Sequence, residues 1–127
     1  MSGLTIGIVA ALIRDETGRV LLVRKRGTLA FMQPGGKRGP GEDDATALAR
    51  ELDEELGCQV VSNSTRHLGE FVAPSANEPG WMVKAAVYAV DVTGTIKARA
   101  EIEEIAWIDP TLAPLTRNHV LPLARGV

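Results

Sequence analysis

Apolar residues gather in short runs along the chain, and the spacing within these runs predicts the secondary structure. Two runs rich in Val, Ile and Leu, residues 4–13 and 20–26, predict strands joined by a polar turn at residues 14–19. These strands form a hairpin or pair with partners elsewhere in the sheet, and the sequence leaves both arrangements open. Four later runs also predict strands, at residues 58–62, 66–73, 81–92 and 101–109.

One segment instead follows a helical period and begins near Asp43. Its apolar residues recur at steps of three and four, at Ala45, Leu48, Ala49, Leu52 and Leu56. Asp43 suits the N-cap, and Gly57 is placed where a left-handed residue ends a helix. The Gly- and Pro-rich residues 31–42 predict a structured loop without a strand. A short second helix is predicted around residues 115–121, before Pro122.

Length and charge limit what kind of protein this is. A chain of 127 residues has the size of a single domain, 1–127, with a core of its own. Its 14 basic and 16 acidic residues give a net charge of −2, which excludes the broad basic surface of a duplex nucleic-acid binder. The single cysteine, Cys58, predicts a cytoplasmic protein. The run 4–13 is shorter than the roughly 20 residues of a membrane span and lacks the flanks of a targeting signal, so no membrane association is expected.

The last turn of the predicted helix carries an excess of negative charge. Glu51, Glu54 and Glu55 are spaced at i, i+3 and i+4, so they share one face, which is expected to point away from the apolar stripe. Like charges at this spacing cost about 0.2–0.5 kcal/mol per pair, and the helix dipole adds to that cost. Arg50 offsets part of it, since its guanidinium can brace Glu54 bidentately one turn on. Three converging carboxylates suit a hard divalent cation, but a solvated acidic face accounts for the helix equally well.

The residues around this acidic turn resemble the Nudix box, G-x5-E-x7-R-E-U-x-E-E-x-G-U, in which U is apolar. The match spans residues 36–58 and covers every defined position: Gly36, Glu42, Arg50, Glu51, Leu52, Glu54, Glu55, Gly57 and Cys58. Cys58 stands where an aliphatic residue is more usual, and a buried cysteine packs as a small hydrophobe. The preceding PGGK sequence and the late strand with Trp107 extend the similarity over most of the chain.

The resemblance implies an α/β fold, namely an α/β/α sandwich around a central mixed β-sheet. It also implies an enzyme that hydrolyses a pyrophosphate bond in a nucleoside diphosphate linked to another moiety, with Mg²⁺ or Mn²⁺ as cofactor. By their positions in the box, Glu51, Glu54 and Glu55 would bind the metal, and the carbonyl of Gly35 would add a ligand. Arg50 would orient a glutamate in this catalytic set, and no protein nucleophile is required.

A further acid is expected from the late strand. Glu101, six residues before Trp107, is the candidate for another metal ligand or for the general base, with Glu104 and Glu103 as alternatives. In the family the base is sometimes a box glutamate and sometimes an acid on a distant loop, so the sequence leaves its identity open.

The resemblance also predicts a small phosphorylated nucleotide as the substrate. Lys37, Arg24 and Arg26 are the candidates for binding its phosphates, and the neighbouring Lys25 could also meet them. The three cations at residues 24–26 would serve equally well as surface charges at a strand end. The nucleotide itself stays open among ordinary or oxidised nucleoside triphosphates, ADP-ribose and related sugar nucleotides, and dinucleoside polyphosphates. A homodimer, the phosphorus attacked and the number of metal ions also stay open. The alternative function is a non-catalytic, regulatory nucleotide-binding domain, for which a degenerate box would be expected.

Overall fold

The computed structural model describes residues 4–75 and 78–109 of the chain. Within this part, nine strands and one helix follow one another as β1 (Thr5–Leu12), β2 (Val20–Lys25), β3 (Phe31–Met32), β4 (Gly35–Gly36), α1 (Asp44–Leu56), β5 (Gln59–Val60), β6 (Arg66–Pro74), β7 (Met82–Ala89), β8 (Val92–Thr93) and β9 (Ile102–Ile108). The predicted strands and the acidic helix are confirmed close to their expected bounds. The helix predicted around residues 115–121 lies outside the described residues. No helix in the described part is long and apolar enough to cross a membrane.

The described strands form a mixed sheet and two smaller antiparallel ones. The four-stranded sheet has the order β4-β1-β7-β6, in which β1 and β7 run parallel and the other neighbours antiparallel. The three-stranded sheet has the order β3-β2-β9, and β5 pairs with β8. The predicted mixed sheet is therefore confirmed. The question of the hairpin is also answered, because β1 and β2 belong to different sheets and a bridge between Arg14 and Val20 links them at the turn.

The prediction of a loop without a strand over residues 31–42 is wrong in its first half. Met32 pairs with Val23 of β2, and Gly35 pairs with Ala10 of β1, so two short strands add to neighbouring sheet edges. Pairing of this kind depends on the open backbone groups of the edge strands. Segments of only two residues are too short to show a periodicity from which such pairing could be predicted.

Helix α1 begins and ends at the residues that the sequence predicts. The side chain of Asp43 caps the first turn by accepting a hydrogen bond from the amide of Thr46 at 2.8 Å. Gly57 ends the helix with φ 71°, and its amide donates to the carbonyl of Asp53 at 2.9 Å. An alanine at this φ would be strained, so glycine is the residue that lets the chain leave the helix here.

Both faces are buried over residues 9–12 of β1 and 20–23 of β2, which explains the unbroken apolar runs there. On one face, Leu21 and Val23 of β2 pack with the helix residues Ala47, Leu48, Leu52 and Leu56. The opposite face joins a second cluster, formed by Ala10, Leu12, Val20, Leu22, Ala85 and Val87. Because side chains alternate along a strand, the odd-numbered residues of β2 face the helix. The next odd-numbered residue, Lys25, lies at the end of β2 on that same side.

Candidate active site

The acidic end of α1 lies against the glycine pair of β4. Glu55 is buried, and its Oε1 accepts a hydrogen bond from the amide of Gly35 at 3.3 Å. The carboxylate of Glu51 lies against Gly36, where a Cβ atom would come within 2.6 Å of its Cδ. Glu54 is more exposed, with 54% of its side chain accessible. Gly36 thus leaves room for the carboxylate of Glu51, whereas Gly35 allows the close approach of the β1 backbone at Val9.

The expectation that all three carboxylates point away from the core is wrong for Glu55. This side chain is 4% exposed and lies on the buried side of the last helical turn. The acidic face and the apolar stripe meet there because β4 covers the edge of the helix. A helical wheel treats that edge as open surface, so periodicity alone does not predict the burial.

Burial dominates the electrostatics of the cluster. It raises the pKa of Glu55 to about 8, and the charges of Glu51 and Glu101 add to the rise, while the amide of Gly35 opposes it. Burial also raises the pKa of Glu51, and the hydrogen bond from Arg50 offsets part of that rise. Ionisation of these two carboxyl groups is therefore costly without a cation, and a bound divalent ion would favour their ionised forms.

Arg50 contacts three glutamates. It forms a two-bond pair with Glu42, at 2.7 and 2.8 Å, and single bonds to Glu51 at 3.1 Å and Glu54 at 3.2 Å. The predicted bidentate pair with Glu54 is therefore wrong, since the loop residue Glu42 presents both of its oxygens to the guanidinium and Glu54 presents one. This pair with Arg50, followed by the amide of Gly39, lowers the pKa of Glu42 to about 2.

The turn before β9 brings Glu101 to the same site. The amide of Arg26 donates to the carbonyl of Glu101 at 2.8 Å, and the charge of Glu101 is close enough to add to the raised pKa of Glu55. The structure thus brings together the predicted residues Gly35, Glu51, Glu54, Glu55, Arg50 and Glu101. Lys37 is exposed on the loop between β4 and α1, and its carbonyl accepts a hydrogen bond from Arg50 at 3.1 Å.

The other two predicted phosphate contacts are held in ion pairs. Nε of Arg24 lies 2.9 Å from Oε1 of Glu104, and its Nη1 donates to the carbonyl of Thr28 at 2.8 Å. Nε of Arg26 lies 3.1 Å from Oε1 of Glu103. Glu104 and Glu103, the two alternatives to Glu101 as metal ligand or general base, are therefore also held in these ion pairs. Phosphate binding by Arg24 and Arg26 stays a prediction, and it would require these ion pairs to open.

Lys25, which lies between these two arginines, faces the helix side of the sheet. It pairs in register with Ile102, which is buried in the cluster on the helix side, so both side chains face α1. Its positive charge lowers the pKa of Glu51 and of Glu55, against the larger effect of burial. Alternating polar and apolar residues along β2 would have indicated which face Lys25 lies on. The strand is buried on both faces, however, so its sequence shows no such alternation.

The donor set fits a hard divalent cation in its chemistry. Glu55 accepts from the amide of Gly35, Glu51 lies against Gly36, and Glu54 shares Arg50 with Glu51; Mg²⁺ and Mn²⁺ prefer such oxygen ligands. Among residues 4–75 and 78–109, however, no three acidic, His or Cys side chains already converge as a metal site. In this arrangement Nη1 of Arg50 donates to one oxygen of Glu51 and to one oxygen of Glu54.

Comparisons with known proteins agree with this geometry. The family model described as NUDIX domain matches residues 4–124. A CTP pyrophosphohydrolase of Escherichia coli (strain K12) is 34% identical over 113 residues, which cover 83% of this chain and 76% of that protein. An 8-oxo-dGTP diphosphatase of Haemophilus influenzae is 34% identical over 74 residues, which cover 55% of this chain and 54% of that protein. The crystal structure of a MutT protein from Methanosarcina mazei Go1 superposes with a TM-score of 0.75 at 26% identity, over 94% of this chain and 87% of that one.

These findings confirm the predicted family and fold, and they confirm the predicted class of enzyme, a pyrophosphohydrolase that acts on nucleotides. Nudix hydrolases generally depend on a divalent metal, in agreement with the carboxylate donors of the site. The chain belongs to the Nudix family, as a MutT-like member.

Proposed function

We propose that this chain hydrolyses the pyrophosphate bond of a nucleoside triphosphate at the acidic end of α1, with Mg²⁺ or Mn²⁺ bound there. The observation that carries the proposal is the position of Glu51 and Glu55. Both carboxylates are held against the backbone of Gly35 and Gly36, and burial raises the pKa of each. Burying two acidic groups beside each other does not stabilise the fold. A cation that bridges the protein and the substrate phosphate would give these buried groups a function.

Three carboxylates would hold the cation, those of Glu51, Glu54 and Glu55. When bound, a divalent ion neutralises phosphate charge and acidifies the attacking water. Glu101 lies on the turn before β9, which is attached to the end of α1 by the bond from the amide of Arg99 to the carbonyl of Glu55. In this position it either adds an oxygen ligand or accepts the proton of the water, and both roles require its carboxylate.

The chain's cations have separate tasks in this proposal. Arg50 holds the carboxylates of Glu51 and Glu54 in place while its main partner, Glu42, fixes the loop. Lys25 lies on the helix side of β2, and it would bind a substrate phosphate oxygen. Lys37, exposed on the loop that follows β4, is the second candidate for such a contact.

The substrate class follows from the relatives and from the charge of the chain. The two curated relatives above are named for CTP and for 8-oxo-dGTP, so these two triphosphates are the first substrates to test. The net charge of −2 supports a small nucleotide over a duplex nucleic acid. A cytoplasmic setting is also part of the proposal, supported by the single, buried Cys58.

The test is a panel of nucleotides incubated with Mg²⁺ or Mn²⁺, with product identity read by chromatography. The panel holds CTP, 8-oxo-dGTP, the ordinary nucleoside triphosphates, ADP-ribose and a dinucleoside polyphosphate. We expect a nucleoside monophosphate and pyrophosphate from at least one triphosphate. Glu54→Gln should lower kcat by roughly 100-fold or more, whereas Glu16→Gln, an exposed acid in the turn after β1, should not. Near-normal turnover by Glu54→Gln would refute the proposed site.

A further inference from the structure

The turn that precedes β9 contains a residue in an unfavourable backbone conformation. Ala100 has φ 52°, and among the described residues the other non-glycine with positive φ is Asn63. Asparagine adopts this left-handed conformation readily, whereas the Cβ of alanine crowds the backbone there. The amide of Ile102 donates to the carbonyl of Arg99 at 2.9 Å, so Ala100 and Glu101 are the two central residues of a tight turn.

Backbone hydrogen bonds attach this turn to the rest of the site on both sides. Before the turn, the amide of Arg99 donates to the carbonyl of Glu55 at 2.9 Å, at the end of α1. After Ala100, the carbonyl of Glu101 accepts from the amide of Arg26 at 2.8 Å, at the end of β2. The chain must therefore reverse direction within two residues while it stays bonded to a helix and a strand. A positive φ at position 100 achieves this reversal.

We propose that Ala100 is a positioning residue, whose left-handed conformation directs Glu101 toward the carboxylates at the end of α1. The inference rests on the role given to Glu101 in the proposed function. Ala100 itself is exposed and contacts neither substrate nor metal in this account. A residue in such a conformation persists when its surroundings determine it, and strained residues of this kind concentrate at functional sites.

The conformation of Ala100 can be altered without disturbing the core. Valine is strongly disfavoured at positive φ, so Ala100→Val is expected to move the turn. Because the position is exposed, the added methyl groups create no packing clash. Glycine and asparagine both tolerate this conformation, so Ala100→Gly and Ala100→Asn should preserve the turn. Ala98→Val is the matched control, since Ala98 is exposed in the same segment and its φ is not positive.

The first measurement is amide hydrogen exchange of the metal-free variants. The amides of Arg26 and Arg99 close the two sides of the turn, so both should exchange faster in Ala100→Val than in the wild type. The Gly and Asn variants and Ala98→Val should keep the wild-type exchange rates. Unchanged exchange at both amides in Ala100→Val would show that the left-handed residue does not hold the turn, and would overturn the inference.

The second measurement is a kinetic double-mutant cycle with Glu101→Gln. Ala100→Val should lower kcat on the order of 10- to 100-fold with KM within about twofold, because a displaced catalytic group reduces turnover. Ala100→Gly and Ala100→Asn should retain kcat. In the Glu101→Gln background the valine substitution should have no further effect, since it acts through Glu101.

The outcomes separate this inference from the proposed function. If Ala100→Val lowers kcat equally in both backgrounds, or leaves kcat unchanged while Glu101→Gln is impaired, Ala100 does not act through Glu101 and the inference alone fails. If Glu101→Gln keeps full turnover, the role of Glu101 in the proposed function fails, and the inference fails with it.

Discussion

Arg50 and Glu42 are joined by two parallel hydrogen bonds, from Nε to Oε2 at 2.7 Å and from Nη2 to Oε1 at 2.8 Å. The same Nη2 donates to the carbonyl of Lys37, and Glu42 also accepts from the amide of Gly39. The arginine and the first glutamate of the box therefore close the loop before α1 onto the helix. Glu42 is thus the residue that fixes this loop, through both of its carboxylate oxygens.

Replacing Glu42 should destabilise the fold in a pH-dependent way. The pKa of Glu42 is lowered from 4.5 to about 2, first by Arg50, so the folded state keeps a carboxylate that the unfolded chain protonates. Its contribution is complete above about pH 4.5 and is lost as the pH falls through about 2. We expect Glu42→Gln to lower the free energy of unfolding at pH 7, and the difference from the wild type to shrink toward pH 2. Urea unfolding across this range measures it, with Glu16→Gln as the control. A difference that stays constant with pH would contradict the prediction.

The arginine should resist conservative replacement. A lysine keeps the charge of Arg50, but it presents a single ammonium where the guanidinium forms two parallel bonds to Glu42 and others to Glu51 and Glu54. We therefore expect Arg50→Lys to lower kcat by roughly tenfold or more, with a smaller change in KM. Steady-state kinetics at saturating metal measure this effect. Arg19→Lys, at an exposed ion pair in the turn after β1, is the matched control and should keep wild-type kinetics.

Much of the site could be predicted because its residues are close in sequence. The helix period, the Asp43 cap and the left-handed Gly57 all depend on local interactions, so the pattern of the chain contains them. The burial of Glu55 could not be predicted in this way. It depends on β4, and β4 exists because Gly35 pairs with Ala10, far away in the sequence.

Gly36 should be required for the position of Glu51. A Cβ atom at this residue would lie 2.6 Å from Cδ and from Oε2 of Glu51, so Gly36→Ala must push that carboxylate aside. The carboxylate is the end of a flexible side chain, and φ of Gly36 is not in the left-handed region, so the fold should survive. We expect kcat to fall by roughly tenfold or more, with Tm within a few degrees of the wild type.

The control for Gly36 is another strand glycine, Gly7 in β1. A Cβ atom there would meet its nearest neighbour, Nη1 of Arg38, at an ordinary contact distance of 3.7 Å. Gly7→Ala should therefore change neither kcat nor Tm appreciably. Equal losses of activity in the two variants would show that the contact with Glu51 is not the cause.

Substitutions of Lys25 and of its neighbour Arg24 should affect KM differently, because the two side chains lie on opposite faces of β2. Lys25 faces the helix side with Ile102, whereas Arg24 pairs with Glu104 on the opposite face. We expect Lys25→Gln to raise KM for the nucleotide by roughly tenfold, because a phosphate contact is lost. Arg24→Gln should change KM little and Tm slightly, since its ion pair is half-exposed and such pairs contribute little. A larger effect of Arg24→Gln than of Lys25→Gln on KM would contradict this prediction and would support Arg24 as the phosphate contact.

The position of Lys25 also shows where sequence patterns stop being informative. In a strand with one solvated face, polar residues mark the alternation, but β2 buries both faces and hides it. The register with β9 shows which face of β2 Lys25 lies on. The extra residue of the bulge, Glu103, belongs to β9, so the alternation of side chains along β2 is intact. Long-range pairing of this kind leaves no local signal.

Glu55 should make the metal-free protein less stable as the pH rises. Its pKa is raised from 4.5 to about 8, first by burial, so between these values the folded state binds a proton that the unfolded chain has lost. The free energy of unfolding therefore falls as the pH rises from about 4.5 to about 8. Glu55→Gln removes the titrating group, so this part of the pH dependence should disappear. Unfolding in urea with a chelator present, at pH 5, 6.5 and 8, measures it.

A divalent metal should reverse this loss of stability at high pH, but only in proteins that keep the Glu55 carboxylate. A divalent cation binds the ionised carboxylate and therefore stabilises the folded state most at high pH, where the unbound cluster is least stable. Adding Mn²⁺ at pH 8 should raise Tm of the wild type and leave Tm of Glu55→Gln nearly unchanged. Asp53→Asn is the control: Asp53 is exposed on the same turn, so Mn²⁺ should raise Tm of this variant as in the wild type. An equal shift of Tm in the wild type and in Glu55→Gln would place the metal elsewhere, because only a cation bound by the Glu55 carboxylate depends on that group.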